Sequence, residues 1–451
     1  MGDVPSRKRS RSSERSVSPP PVKRNQPSST TNKAVANFFT PASQKPKTSE
    51  SVSWTVIKES LLIGRYQDPS HVAEPDAQPR KIAIFDFDST LITSASGKRF
   101  ARDASDWKWW HASVATSLHK LHQDGYLIAI VSNQAGISLK TNSKSLKTEL
   151  KRLADFKAKV TTVLTQLDLP VAIYAATAKD EYRKPRTGMW RQLLEDHSLS
   201  APGAVNMERS FFVGDAGGRP ASASSGAPKD FSCSDRDFAA NVGIKYMTPE
   251  EYFLEEEASP FIRDFDPARY MKEVAGAATN AVPLVFTKKN PVDIVLFCGS
   301  PGAGKSTFYW RHLKPLGYER INQDTLKTRD RCLKAATDSL AEGDSIVVDN
   351  TNADPETRAH WIKLAKKHDV PIRCVLFTAS PKVCEHNDAV RALSGEMNPE
   401  SRIMLPKIAF TSFTSRFREP SLKEGFQDIT KVDFTFEGSE QERAIWTKFW
   451  V

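Results

Sequence analysis

The residues best suited to chemistry are carboxylates placed where short apolar runs end. Residues 81–85 (Lys-Ile-Ala-Ile-Phe) read as a buried strand that runs straight into Asp86-Phe-Asp88-Ser-Thr90. In a parallel sheet, ligands gather beyond the carboxyl ends of the strands. Strand-like alternation would turn Asp86 and Asp88 the same way, and two such carboxylates repel unless a cation or proton lies between them. On a phosphate ester, one could attack phosphorus and the other could protonate the leaving oxygen. A second run, residues 126–131, ends in Ser132-Asn133-Gln134, whose hydroxyl and amide can hold phosphoryl oxygens. A third, residues 172–176, precedes Tyr182-Arg183-Lys184-Pro185, where a lysine can neutralise an aspartyl-phosphate and its attacker. A fourth, residues 211–213, ends in Gly214-Asp215, and that aspartate can complete an oxygen-only Mg²⁺ site with Asp86.

A different chemistry follows. Residues 293–297 lead into Gly299-Ser300-Pro301-Gly302-Ala303-Gly304-Lys305-Ser306-Thr307. This is G-x4-G-K-S, a loop whose backbone N–H groups wrap nucleotide phosphates at a helix N-terminus. Lys305 would reach the β- and γ-phosphates, and the Ser306 hydroxyl would bind Mg²⁺. Asp324, in Arg320-Ile-Asn-Gln-Asp324-Thr, can take a proton from an attacking hydroxyl. Asp349 ends the apolar residues 345–348, where it can hold the metal through water or orient the acceptor. Arg391, on an expected helix after residues 372–377, can cover the transferring phosphoryl group. His386 on the same stretch is a lesser candidate and reads as a helix-face residue. Asp103 and Asp106 lie near Trp107, Trp109 and Trp110, an aromatic group that could stack on bases but reads better as a helix packed into a core.

These sites must be positioned by α/β units, since apolar strands alternate with longer amphipathic stretches from about residue 51. Strand-like runs fade across residues 258–285. The expected organisation is therefore a disordered arm over 1–50, one α/β domain over 51–270 and a second over 271–451. No run approaches the length of a membrane span, so no membrane partner is expected. The five cysteines form no CxxC pair, which points to a reducing compartment. The formal net charge is +10. Residues 1–50 contribute ten basic and three acidic groups, residues 51–284 sum to zero, and the remainder adds +3.

The arm is rich in Ser, Pro, Lys and Arg, too polar to offset chain entropy by burial. Its clusters Arg7-Lys8-Arg9-Ser10-Arg11 and Lys23-Arg24 suggest nuclear import and hence a nuclear location. Val35, Phe38 and Phe39 make one side of a short helical turn. That turn resembles the motif that docks on the DNA sliding clamp, with Asn32 where Gln usually stands.

The four phosphatase-type features, in this order, resemble the haloacid dehalogenase superfamily. Phe-Asp-Phe-Asp-Ser-Thr-Leu-Ile, Ser-Asn-Gln-Ala-Gly-Ile, Tyr-Arg-Lys-Pro-Arg-Thr-Gly-Met-Trp, Phe-Val-Gly-Asp-Ala-Gly-Gly-Arg-Pro and Lys229-Asp-Phe-Ser-Cys-Ser-Asp-Arg236 resemble the phosphatase half of the polynucleotide kinase 3′-phosphatase family. The phosphate loop, Asn-Gln-Asp-Thr-Leu, Val-Val-Asp-Asn-Thr-Asn and Phe413-Thr-Ser-Arg-Phe-Arg-Glu-Pro420 resemble its 5′-kinase half. The resemblance implies Asp86 as nucleophile and Asp88 as general acid. It implies Lys184 as charge stabiliser, and Asp86 with Asp215 on Mg²⁺. Ser132, Asn133 and Arg183 would stand around the phosphate, with Asp88 also counted among the metal-side carboxylates. In the kinase it implies Asp324 as base, Lys305 and Arg391 on the ATP phosphates, and Ser306 on Mg²⁺. Many relatives have Gly where Ser89 stands. The implied function is removal of 3′-phosphates and ATP-dependent phosphorylation of 5′-hydroxyls at DNA ends, by a chain taken as a monomer. Processing of RNA ends, or a non-catalytic end-binding scaffold, are the rival expectations.

Overall fold

A computed structural model describes residues 51–67, 78–99, 101–140, 146–221, 229–271, 286–398 and 401–451. The basic clusters and the Val35, Phe38, Phe39 turn lie outside the described residues.

In the first unit the strands are β1 (Val52–Ile57), β2 (Leu61–Tyr66), β3 (Ile82–Phe85), β4 (Ile92–Thr93), β5 (Lys108–Trp109), β6 (Leu127–Asn133), β7 (Val171–Ala176), β8 (Phe211–Val213) and β9 (Lys245–Met247). Seven of them form one sheet in the order β1-β2-β7-β6-β3-β8-β9. The pairs from β7 to β9 are parallel, while the β1–β2 hairpin adds on antiparallel to β7. Every residue of β3, β7 and β8 is buried, as expected for a parallel sheet covered on both faces. One apolar cluster, around Phe85, Ile130 and Ile173, covers one face; another, around Ile84, Tyr174 and Phe212, covers the other. The central strands β7, β6, β3 and β8 are neighbours, so the four candidate segments that follow them meet at one edge of the sheet.

The second unit holds β10 (Ile294–Cys298), β11 (Glu319–Ile321), β12 (Ile346–Val348), β13 (Ile372–Phe377) and β14 (Ile429–Val432). They form an all-parallel sheet in the order β11-β12-β10-β13-β14. The phosphate loop follows the central β10, and Asp324 and Asp349 follow β11 and β12 on the same side.

One expectation changes. The Trp107–Trp110 segment does pack on the core, but as the edge strand β5 and adjoining turns rather than a helix. Its rings use a pleated surface, where aromatic side chains are at home. The stretch between the two sheets touches both of them. Ile262 donates its N–H to the Gly218 carbonyl (2.9 Å) and Arg263 pairs with Asp237 (2.7 Å), both in the first unit. Phe265 lies tilted against His386, and Met271 bridges to Phe436, both in the second. Among the described residues, no helix is long and apolar enough to cross a membrane. All five cysteines are free thiols, four of them buried.

Candidate active sites

Asp86 leaves β3 buried, with its N–H donated to the Val213 carbonyl of β8 at 2.9 Å. The Lys184 ammonium, almost wholly buried, donates to Asp86 Oδ1 (2.6 Å) and the Val131 carbonyl (2.8 Å). It also lies 2.8 Å from Asp235 Oδ1. Ligand oxygens of Asp86, Asp215 and Asp235 fall within 4.8 Å of one another. One ammonium thus faces three carboxylates, an oxygen-only set short of positive charge. That donor set fits a hard divalent cation such as Mg²⁺.

The electrostatics agree. Burial first, then the Asp235 charge, lifts the Asp86 carboxyl to about 7, against the pull of Lys184. Asp215 is open at the mouth of the site yet hemmed by protein on its inner side. Partial loss of solvent, then the charges of Asp86 and Asp235, push it up to about 8. Burial disfavours the Lys184 ammonium, but Asp235 and Asp86 outweigh that and hold it above its ordinary value.

Asp88 departs from the expected metal set. β3 ends at Phe85, so two-residue alternation does not carry Asp88 into the cluster. Phe87 is buried, and Asp88 sits in the turn with its side chain 51% exposed. Gln134 donates to Asp88 at 2.7 Å, and Lys159 lies 3.7 Å away. Its charge still reaches Asp86, which suits an acid placed beside the reacting oxygen rather than a ligand. Asp235 takes its place in the cluster. It stands in the first turn of the helix Ser234–Val242 and receives the Ala216 N–H at 3.1 Å. Its sequence signal is the Lys229–Arg236 run, in which no apolar strand points to it.

The β6 end divides its work. The Ser132 hydroxyl accepts from the Gln134 amide at 3.0 Å. Asn133 spends both ends of its amide on the Lys184 backbone, accepting from its N–H (2.9 Å) and donating to its carbonyl (3.1 Å). It positions the lysine rather than offering a free donor to phosphate. Arg183 is half-buried with Nη1 unpartnered, and burial lowers its pKa. Ser89 adopts φ +63°, a left-handed conformation that favours glycine.

In the second unit, Gly302 and Gly304 have φ of +75° and +93°. A Cβ at Gly302 would lie 2.2 Å from the Cys384 carbonyl oxygen, so only glycine fits. Lys305 lies folded into its own loop, donating to the carbonyls of Gly299 (3.0 Å) and Ser300 (2.6 Å). Burial lowers its pKa. Ser306 donates to Asp349 at 2.9 Å, and Arg320 grips the same Asp349 oxygen at 2.6 Å. Ser306 and Asp349 are thus adjacent oxygen donors at the loop's helix end. Asp324 is 75% exposed beside Arg402 (3.4 Å), open to an incoming acceptor. Arg391 is paired to buried Asp388 at 2.6 Å and keeps Nε unpartnered; its charge is felt at Lys305. His386 is a core residue, not a helix-face one: fully buried, hydrogen-bonded to the Trp446 carbonyl (2.8 Å), and lowered to about 4 by burial.

A sequence model described as polynucleotide kinase 3 phosphatase matches residues 81–253, and one described as an AAA domain matches residues 294–420. A bifunctional polynucleotide phosphatase/kinase of Schizosaccharomyces pombe is 38% identical over 384 residues, covering 85% of each chain. This chain belongs to the bifunctional polynucleotide phosphatase/kinase family. A putative member from Acanthamoeba polyphaga mimivirus is 32% identical over 393 residues, covering 82% of this chain and 88% of that one. The polynucleotide 3′-phosphatase ZDP of Arabidopsis thaliana is 37% identical over 186 residues, 40% of this chain and 25% of that protein. The chain is accordingly an enzyme with a phosphatase unit followed by a P-loop kinase unit. Family membership joins the two sets of side chains into one bifunctional protein.

Proposed function

We propose that this enzyme heals DNA strand breaks in the nucleus. It would hydrolyse 3′-phosphate ends through an aspartyl-phosphate and phosphorylate 5′-hydroxyl ends with ATP. The observation that carries the reading is the buried Lys184 ammonium between Asp86 and Asp235, in the same chain as an intact phosphate loop. A phosphate ester suits this site because its attacked phosphorus must approach a carboxylate already screened by a fixed cation.

Asp86 attacks phosphorus, and the bond to the 3′-oxygen breaks. Asp88 supplies the proton to that leaving oxygen. Water then attacks the phosphorus of the aspartyl-phosphate, giving its proton to Asp88 and freeing the Asp86 carboxylate. Lys184 holds negative charge through both steps and fixes the attacking oxygen. In the kinase unit, Asp324 accepts the proton of the 5′-hydroxyl as it attacks the γ-phosphorus of ATP. Lys305 and Arg391 bind the phosphate oxygens. Asp86, Asp215 and Asp235, and Ser306 with Asp349, would hold Mg²⁺, which would supply positive charge against the anionic phosphates. The basic arm supports a nucleic-acid partner and nuclear import, and contacts to the phosphate backbone suit repair that ignores sequence.

A nick bearing a 3′-phosphate and a 5′-hydroxyl tests the reading with Mg²⁺ and ATP. Wild type converts both ends; Asp86→Asn loses only dephosphorylation, and Lys305→Ala loses only phosphorylation. Unchanged ends with wild type contradict the reading. Preference for a matched RNA nick would reassign the substrate and leave the chemistry intact.

A further inference from the structure

The phosphatase site is braced by the far end of the chain. Asn241, on the helix Ser234–Val242 that also carries Asp235, donates to the Pro185 carbonyl at 2.9 Å, one residue beyond Lys184. The same amide clasps the backbone of Phe449: Nδ2 donates to its carbonyl at 2.7 Å, and Oδ1 accepts from its N–H at 2.8 Å. Asn133 holds the Lys184 peptide from the other side. The loop that aims the ammonium at Asp86 is therefore fixed by two asparagines, and one of them is itself fixed by the kinase unit.

Phe449 is not a loose terminus. Its ring lies under the Arg263 guanidinium at 4.6 Å. Three residues earlier, Trp446 is buried and stacked on Phe434 and Phe436. Trp446 donates its indole N–H to Asn387 at 2.7 Å, and Asn387 donates to the Gly302 carbonyl of the phosphate loop at 2.8 Å. The C-terminal segment is thus anchored beside one site and reaches the other.

We propose that Asn241, held by the Phe449 backbone, is a positioning residue of the phosphatase, so that the C-terminus of the kinase unit completes the 3′-phosphatase site. This rests on the assignment of Lys184 and Asp86 to that reaction. An amide suits the role because it must donate to two carbonyls and accept from one N–H at once. A carboxylate cannot donate, and an aliphatic side chain satisfies none of the three.

The test measures both activities of the full chain. Asn241→Ala should lower phosphatase kcat by about 10–100-fold, the usual cost of losing a partner that orients a site residue. KM, kinase kcat and the melting temperature should hold near wild type. Phe449→Pro, which deletes the backbone N–H, should reproduce the loss. Asn241→Asp adds a signature that mere packing would not give. Its phosphatase rate relative to Asn241→Ala should rise as pH falls, because the protonated acid regains one donor. Phosphatase activity within twofold of wild type in Asn241→Ala overturns the proposal. So does a parallel loss of both activities with a lowered melting temperature. A wild type without phosphatase activity would instead sink the assignment of Lys184 and Asp86.

Discussion

Raising the pH should destabilise the metal-free phosphatase unit, and Mg²⁺ should reverse the loss. Asp86 ionises near 7 in the folded chain because burial outweighs the help of Lys184. In the unfolded chain an aspartate ionises near about 3.9. The folded-state value is the higher, so the native state keeps a proton that the unfolded state has released. Stability therefore falls as pH rises through this window and levels off above about 7. The gap of roughly three units is worth up to about 4 kcal/mol at about 1.36 kcal/mol per unit. About 2 kcal/mol of it falls between pH 5.5 and 7. For a unit of 150–250 residues that is a drop in Tm of roughly 4–8 °C. Asp215 shifts in the same direction and, being open to solvent, adds less. Cation binding needs the ionised carboxylates, so Mg²⁺ should raise Tm far more at pH 8 than at pH 5.5. The assay is a thermal melt of chelator-treated wild type and Asp86→Asn from pH 5.5 to 8, with and without Mg²⁺. The variant removes the titrating group and should lose most of the slope. Parallel profiles for the two proteins, or an Mg²⁺ effect independent of pH, would refute the reasoning.

Three further outcomes follow from single residues. Gly302→Ala should abolish ATP binding and kinase turnover while phosphatase activity stays within about threefold, because the new Cβ meets the Cys384 carbonyl at 2.2 Å; wild-type ATP affinity would contradict this. Arg358→Met should destabilise the kinase unit by about 3–5 kcal/mol in denaturant unfolding. Arg358 is fully buried, grips Glu424 at 2.7 and 2.8 Å, and donates to three carbonyls, so a loss below about 1 kcal/mol would count against its role. Ser89→Gly should stabilise the chain by up to about 1 kcal/mol by relieving the left-handed turn at φ +63°, and a lowered Tm would contradict that.

Strand ends were the legible part of this molecule. The runs feeding Asp86, Ser132, Lys184, Asp215 and the phosphate loop are continuous apolar segments, and buried parallel strands have no other easy signature. The β1–β2 hairpin was less legible, since β1 is mostly exposed after Val52, with no clean alternation, and β2 joins an otherwise parallel sheet from outside. Asp235 escaped because it sits on a helix after a loop, where no apolar run announces it, and only the tertiary fold brings it within 2.8 Å of Lys184. Asp88 was misplaced by extending strand alternation one turn too far. Arg358 and Asn241 were invisible for the same reason as each other: their partners are backbone carbonyls or residues more than fifty positions away. Sequence spacing reports local geometry, and such contacts are set by how sheets and helices close on one another.

The most direct test of the account is the stereochemistry at phosphorus during 3′-phosphate release. A 3′-thiophosphate made chiral with oxygen isotopes is hydrolysed in isotopically labelled water, and the configuration of the released thiophosphate is read. Attack by Asp86 followed by attack of water makes two in-line displacements, each inverting, so the account predicts net retention. Net inversion would mean that water strikes the substrate directly, and Asp86 would then be a metal ligand or base instead of the nucleophile.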